Sequence, residues 1–388
     1  MNVIVVDLGF GDAGKGATVD WLCATRPVAA VVRFNGGAQA AHNVVAEGRH
    51  HTFSQFGSGT FSGVPTLLSE HMLVEPIALA AEARALEALG VADPLALVSV
   101  HERALLTTPI HVAANRARDE TRRHGSCGKG IGETASYALT REAPQVADCR
   151  DPGRLRRQLE ELARHYEPLV GPSSVDELVA LYREFASAVR IVDSLPSGRL
   201  VFEGAQGVLL DEWRGFHPHT TWSTVEPRNA RRLGGTYVLG VVRTYQTRHG
   251  AGPFPTEDPT LRHPEPHNAT GEFQGAFRLG HFDPILLRYA IASCGGVDGL
   301  AVTHLDVAPG QAAAAYLTEE GLVDELPCGP WQDLAYQERL TKLLTTAEPV
   351  LTSMPADPVP WIEEQLGVPV VLTAYGPDRA DRRSRVAA

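Results

Sequence analysis

The chain has few cysteines and none in a pattern. The five present (Cys23, Cys127, Cys149, Cys294 and Cys328) are odd in number and lack C-x-x-C spacing. That excludes a disulfide framework and a structural zinc site, and it fits a reducing cytoplasm. Long apolar runs are missing as well. None approaches the roughly 20 residues that span a bilayer. No basic segment precedes residues 3–6, so that run reads as a core strand and not as a signal sequence. Positive charge is in deficit, with 35 Lys+Arg against 46 Asp+Glu and a net charge of −11. The balance disfavours a generic nucleic-acid binder and leaves room only for a local basic pocket. There are no internal repeats and no low-complexity tracts. What is present is 44% hydrophobic and 21% charged residues over 388 positions, enough for a large core in one big α/β domain or in two domains.

The most informative stretch is the first twenty residues, MNVIVVDLGFGDAGKGATVD. An apolar β-branched run over 3–6 leads into a glycine-rich turn over 9–16, and a helix follows over about 15–23. Strand, glycine turn and helix together present backbone N–H groups and a helix N-terminus to phosphate. The spacing fits G-x-x-x-x-G-K, but Gly16 stands where a Walker A loop has Ser or Thr. The hydroxyl that normally holds magnesium is absent, and Asp12 is the substitute at hand.

Further along, residues 29–33 read as a second buried strand running into Phe34-Asn35-Gly36-Gly37-Ala38-Gln39-Ala40-Ala41-His42-Asn43, a small-residue loop that ends on a histidine. Residues 75–90 form a helix with Pro76 at its start and Gly90 at its end, and 95–100 a strand. Residues 125–132, with four glycines, Ser126 and Lys129, are a second candidate anion-binding loop, a weak signal alone that a flexible connector explains as well, and the strand pattern does not place it. Residues 151–193 are purely helical in pattern. Asp151-Pro152 opens one helix and a capping box, Ser174-x-x-Glu177, opens the next. Their core stripes are Leu155, Leu159 and Leu162, then Leu178, Leu181 and Phe185. Strands are expected at 200–202, 236–242, 299–303 and 368–373. A glycine turn is expected at 203–207, a rigid irregular stretch at 247–257 and a helix from Asp283-Pro284 to about Cys294.

Strands apolar on both faces that alternate with helices predict an α/β fold with a large, mostly parallel sheet flanked by helices. Ligands in such sheets sit beyond the carboxyl ends of the strands. Loops 9–16, 34–43, 203–207, 243–257, 304–306 and 374–379 all follow predicted strands and can converge there. The expected organisation is a single domain over 1–388, with a helical subdomain at about 104–195.

In order along nearly the whole chain, these stretches resemble the adenylosuccinate synthetase family of GTP-dependent ligases. Gly11-Asp12-Ala13-Gly14-Lys15-Gly16 is similar to that family's GDEGKG, and residues 31–37 with Ala41-His42-Asn43 to VVRYQGG and GHT. Residues 128–132 are similar to GRGIG. Residues 202–207, 209–211 and 250–257 are similar to FEGAQG, LLD and GAGPFPTE, the longest and most specific of the set. Residues 297–300, 305–307 and Gly376-Pro377-Asp378-Arg379 complete it.

The resemblance implies a P-loop-like GTP-binding ligase fold with GTP as co-substrate and Mg2+ as cofactor. It implies phosphorylation of a purine carbonyl oxygen, followed by displacement of that phosphate by an amino acid's amine. Asp12 would be the base that removes the acceptor N1 proton and a magnesium ligand together with the Ala41 carbonyl. His42 would stabilise the phosphoryl group in transit and then act as acid, tasks worth roughly 10²–10⁴ in rate each. Gln206 would contact the purine. Lys15 and the loop of Gly11, Ala13, Gly14, Gly16 and Ala17 would hold phosphates. Asn43, Arg278, His304 and Gly376 would line the nucleotide site, where Asp306 would pair with guanine. Gln39, Cys127, Arg141, Thr221 and Arg278 would line the substrate site, with Arg141 reaching across a homodimer interface. A cytoplasmic location is implied, with neither membrane nor nucleic acid as partner.

Departures cluster on the acceptor and amine sites. The family's TTGRPRRCGWFD corresponds to residues 273–283, which are about one residue shorter, lack the paired threonines and keep only Arg278 of the arginines. Cys127 replaces a phosphate-contacting threonine, residues 221–229 gain Trp222 and charges, Ala17 follows the loop in place of lysine, and His304 replaces the lysine of KLD. The reading that follows is a divergent ligase acting on a purine-like acceptor and an amino acid, with neither identified. The alternatives are an ordinary family member using IMP and L-aspartate, and a non-catalytic GTP-binding protein. Retention of both Asp12 and His42 argues against the last.

Overall fold

Strand β1 (Val3–Asp7) has every residue buried because it lies at the centre of a ten-stranded sheet. Its alternate side chains feed two cores. Ile4 and Val6 pack with Val32, Phe34, Phe202 and Val242 on one face, and Val3 and Val5 with Val19, Leu22, Val31 and Val201 on the other. A strand with both faces covered reads as an unbroken apolar run, as this one does. The computed structural model describes residues 1–122, 126–265 and 275–385. The remaining sheet strands are β2 (Ala30–Arg33), β3 (Thr66–Leu68), β4 (Val98–His101), β5 (Arg190–Val192), β6 (Leu200–Gly207), β7 (Tyr237–Arg243), β8 (Gly299–Thr303), β9 (Val370–Ala374) and β10 (Arg382–Ser384). They lie in the order β10-β9-β8-β7-β1-β6-β2-β3-β4-β5. All neighbours are parallel except β9 and β10.

Val3 is paired with Val201 on one side and Tyr237 on the other. The chain leaves β1 through helix α1 (Lys15–Thr25) toward β2 on one side and later continues through β7 on the other. The crevice where connections diverge from β1 is where an open parallel sheet binds ligands. Helices α2 (Pro76–Ala88), α3 (Pro109–Arg122), α4 (Ile131–Thr140), α5 (Pro152–Val170) and α6 (Val175–Ala188) contribute to a separate core. In it Leu155, Leu159, Leu162, Leu178 and Phe185 are buried.

Several local expectations shift. Residues 94–97 form a 3-10 turn, and the strand begins only at Val98, because Pro94 fixes a turn-compatible backbone. Helix α6 stops at Ala188, and Arg190–Val192 join the sheet edge. Ser174 caps α6 without a side-chain hydrogen bond. The glycine turn expected at 203–207 is the last part of β6. Its two glycines admit close neighbours and do not break the strand. Within the stretch expected to be irregular, Gln246–His249 pair antiparallel with Phe277–Gly280.

Helix α7 (Pro284–Ser293) starts at the fully buried Asp283. Its Oδ1 accepts the Leu286 N–H at 3.1 Å, and the Tyr316 hydroxyl donates to both oxygens at 2.7 and 2.6 Å. Burial pushes this carboxyl up to about 6 against the pull of those donors. The unfolded chain titrates near the ordinary value of about 4, so between about pH 4 and 6 the native state holds the extra proton. That contribution is complete below pH 4 and is lost as pH rises through 6. The stability difference between wild type and Asp283→Asn therefore shrinks by about 2–3 kcal/mol from pH 4 to 7. Denaturant titrations at a series of pH values measure it, and a pH-independent difference excludes the assignment.

Candidate active site

The turn after β1 is built on Asp7, a fully buried carboxylate. Its Oδ1 accepts the Gly9 N–H at 2.9 Å. Its Oδ2 accepts the Ala13 N–H at 2.8 Å and lies 3.4 Å from the Lys15 ammonium. Three contacts from one side chain fold residues 8–14 into a ring over the strand end. Sequence reasoning missed Asp7, although a carboxylate ending an apolar strand beside a glycine turn is a usable signal. Gly14 caps α1 in a left-handed conformation with no side-chain acceptor. The first-turn N–H groups lack a side-chain cap, a donor set that suits an anion.

His42 stands directly against this helix. A Cβ on Gly16 would lie 2.6 Å from the His42 Cβ and 2.9 Å from Ser58 Oγ. Serine or threonine cannot stand there, so the departure from Walker A follows from the position of the imidazole. His42 Nδ1 is 2.7 Å from Glu203 Oε1, and Glu203 also accepts the Ser58 N–H at 2.9 Å and the Ser58 hydroxyl at 2.5 Å. Glu203 sits in mid-β6 with no exposed surface. Burial resists its ionisation, but His42, Arg33 and Ser58 bring the carboxyl down to about 2. His42 is itself lowered by burial, with Glu203 opposing. Its Nε2 is buried and has no hydrogen-bond partner among the described residues.

Asp12 stands on the rim of the ring, about a quarter exposed, with His249 Nε2 3.1 Å from its carboxylate. Burial pushes its pKa up, yet the hydrogen bond and charge of His249, with Arg243 and Lys15, hold it below the ordinary carboxylate range. Arg243, at the end of β7, donates to the Asp12 carbonyl at 3.1 Å, and the Thr303 hydroxyl of β8 donates to that of Ala13 at 2.9 Å. On the other flank β6 runs into the turn. A Cβ on Gly207 would sit 2.1 Å from the Gly9 carbonyl oxygen and 2.3 Å from Gly11 N. Gln206 therefore faces the Gly36 loop. A Cβ on Gly36 would lie 3.0 Å from Gln39 Nε2 and 3.7 Å from Gln206 Oε1. Both amide atoms of Gln39 and Gln206 Oε1 are buried without partners among the described residues. Asn35 fastens this loop to Ala205 and, with the Gly36 N–H, to Ser223 Oγ, so the 220–224 loop lies at the same place.

The 125–132 loop, unplaced from sequence, borders the site through residues 126–132, while residue 125 lies outside the described residues. Ile131 Cδ1 is 2.8 Å from where a Gly37 Cβ would be. Asn115 of α3 ties the loop down, its side chain bonding Ser126 Oγ and the Gly130 N–H. Cys127 in it is partly exposed. Arg141, at the end of α4, is exposed and pairs with Glu161 at 3.2 Å. Thr221 is anchored through its N–H to the Leu210 carbonyl. Arg278 bonds the Gly250 and Gly252 carbonyls and Glu257. Residues 273 and 274 of the rebuilt loop lie outside the described residues. Ala17 is buried in α1, and Ala41 is exposed just before His42. Asn43 Oδ1 faces Thr52 and His50 across the hairpin that His42 begins. On the β8 side, His304 packs on Thr303 and near Tyr245, and Asp306 is exposed two residues on. Gly376 adjoins Asp381, and Arg379 clasps the buried Asp20 of α1 with two bonds of 2.7 and 2.6 Å. Asp12, Gln206 and His304 all have positive φ, near 60°, a conformation that costs a non-glycine residue about 1–3 kcal/mol and collects at functional sites.

The profile of the adenylosuccinate synthetase family matches residues 4–383. The chain belongs to that family. Adenylosuccinate synthetases from two strains of Neisseria gonorrhoeae are 30% identical to it, over 98% of this chain and 97% of theirs. The fully ligated adenylosuccinate synthetase of Plasmodium falciparum superposes with a TM-score of 0.84 at 20% identity, covering 99% and 100% of the two chains. The succinoaminodeoxyadenylate synthetase (PurZ) of cyanophage S-2L, solved with dGMP and with dATP as energy donor, gives 0.61 at 18%, covering 100% and 96%. Both show the shared fold. Adenylosuccinate synthetases are C–N ligases that use GTP and Mg2+. The residues here fit those groups. The α1 N-terminus and Lys15 suit phosphates, and Asp12 is an ionised carboxylate at the rim. No group of three or more His, Cys, Asp or Glu gathers into a metal cage among the described residues. One or two protein ligands plus phosphate oxygens is the usual setting of Mg2+. No helix is long and apolar enough to cross a membrane among the described residues.

Restoring the Walker A consensus tests the packing at the helix start. Gly16→Ser adds a Cβ where His42 already stands, so it lowers GTP turnover at least about 100-fold and costs on the order of 1–3 kcal/mol by overpacking. Turnover at the wild-type rate would show that His42 has room to move.

Proposed function

We propose that this chain phosphorylates the carbonyl oxygen of a purine-like lactam from GTP and then joins an amino acid's amine to the same carbon. The supporting observation is the set of unpartnered buried polar atoms on His42, Gln39 and Gln206 around one turn. A buried polar group without a partner costs about 1–3 kcal/mol, and a ligand with a polar edge would satisfy these.

In this reading the Asp12 carboxylate removes the lactam N–H proton. The oxyanion so formed attacks the γ-phosphorus, and GDP leaves. Gln206 and Gln39 hold the lactam edge. Lys15 and the N–H groups of Ala13, Gly14, Gly16 and Ala17, with Gly11 shaping the turn, hold the phosphates. Asp12 and the Ala41 carbonyl would hold Mg2+, which when bound would supply charge neutralisation for the phosphates. His42 stabilises the phosphoryl group in transit and then protonates the departing phosphate as the amine attacks. Asp306, with His304, Asn43 and Gly376, lines the guanine side. Cys127, Thr221 and Arg278 line the acceptor and amine side. The enzyme works as a single-domain cytoplasmic homodimer, with Arg141 of one protomer serving its partner's site and the segment at about 104–195 as a helical subdomain.

The amine is the least defined part. Arg278 already pairs with Glu257, and bidentate arginine is the usual grip on a dicarboxylate. This favours an amino acid other than aspartate.

The decisive assay supplies GTP, Mg2+, IMP and L-aspartate. Full turnover identifies an ordinary adenylosuccinate synthetase. Turnover only with another acceptor or amine identifies a divergent ligase. GTP binding without phosphoryl transfer to any acceptor excludes catalysis. Asp12→Asn and His42→Asn each lower turnover by about 10²–10⁴ while leaving the protein folded. Wild-type rates in both would remove the mechanism.

A further inference from the structure

We infer that Glu203 is a positioning residue for this reaction, holding the His42 ring so that Nε2 is the nitrogen turned to the reaction. This rests on the role proposed for His42. Among the described residues, every hydrogen bond to the Glu203 carboxylate comes from two residues. Ser58 supplies its N–H to one oxygen at 2.9 Å and its hydroxyl to the other at 2.5 Å, and His42 Nδ1 lies 2.7 Å from the second. An ionised carboxylate has no proton to give, so Nδ1 carries the proton and donates. In the neutral ring Nε2 is then the lone-pair nitrogen, the atom at which the ring takes up the proton that its acid role later delivers. It is buried, and no atom of the described residues hydrogen-bonds to it.

The carboxylate is itself held. It projects from mid-β6, and Ser58 is packed beside the start of α1, where its Oγ would lie 2.9 Å from a Gly16 Cβ. Strand, serine and helix therefore leave Glu203 one geometry, and Glu203 passes that geometry to the ring. A competing structural role is compensation of the buried Arg33 charge. Arg33 does draw the carboxyl down by its charge, but its Nη1 goes to the Ser54 and Phe56 carbonyls at 2.7 and 3.1 Å and it makes no hydrogen bond to Glu203 among the described residues, so it does not set the ring tautomer. Residues that orient a histidine through its second nitrogen are commonly worth about 10–100-fold in function.

The test uses the full chain with 15N-labelled histidine, at a pH where the ring is neutral. His42→Asn identifies the His42 signal. Wild type shows the Nδ1–H tautomer alone. Glu203→Gln, whose amide can either accept or donate, shows both tautomers. In the ligase assay its kcat falls about 10–100-fold, with KM for GTP within about threefold. Ser58→Ala, a milder change that leaves the buried charge in place, gives a smaller loss of the same kind and covers the case in which Glu203→Gln does not fold. A single unchanged tautomer in Glu203→Gln, or an unchanged kcat, overturns the inference. Full turnover by His42→Asn overturns the role of His42 instead, and the tautomer measurement, which needs no substrate, still decides the contact.

Discussion

The site depends on how closely α1 can approach the strand-and-hairpin layer beside it, and the limit is set where Gly16 has only a hydrogen. His42 and Ser58 fill the space that any side chain would take. The same condition recurs on the other side of the turn, where β6 passes so near the Gly9 carbonyl that Gly207 cannot carry a Cβ. Between these two contacts the turn is gripped from both flanks. The neighbours on either side, Gln206 and His42, are thereby brought to a common edge. A ligase that must hold an acceptor and a nucleotide together needs such rigidity, since small misplacements of reacting groups are costly in rate.

Electrostatics separates carboxylates that build from those free to react. Asp7, Glu203 and Asp211 are fully buried, and their oxygens are taken up by backbone or side-chain donors. Asp211 alone accepts four backbone N–H groups. Burial of a charge is tolerable only with such saturation. Asp12 differs. It keeps about a quarter of its surface and faces a single histidine. Of the carboxylates around the turn it is the one that can exchange its partner for a ligand without unfolding its surroundings.

Much of this was legible in the amino-acid order. The apolar runs at 3–6, 299–303 and 368–373 mark buried parallel strands because both their faces are covered. The turn with Asp12 and Lys15 stands out because glycines at that density serve a backbone and not a core. What the order did not disclose are contacts made across long separations. Nothing near Ser58 signals its bond to Glu203, 145 positions away. The 126–132 loop could not be placed without the strap from Asn115. Residues 203–207 read as a turn because glycine usually ends strands, yet here it serves close approach within one. Arg278 reads as a free cation until the Glu257 contact is seen.

The left-handed backbone of Asp12, Gln206 and His304 has a consequence for how this protein can change. At each of the three positions glycine would relax the main chain, so the side chains that stand there are kept at a cost in sturdiness. A population screened for heat resistance alone would drift toward glycine at these three places while keeping the fold. The three larger side chains thus mark places where the fold leaves stability unclaimed.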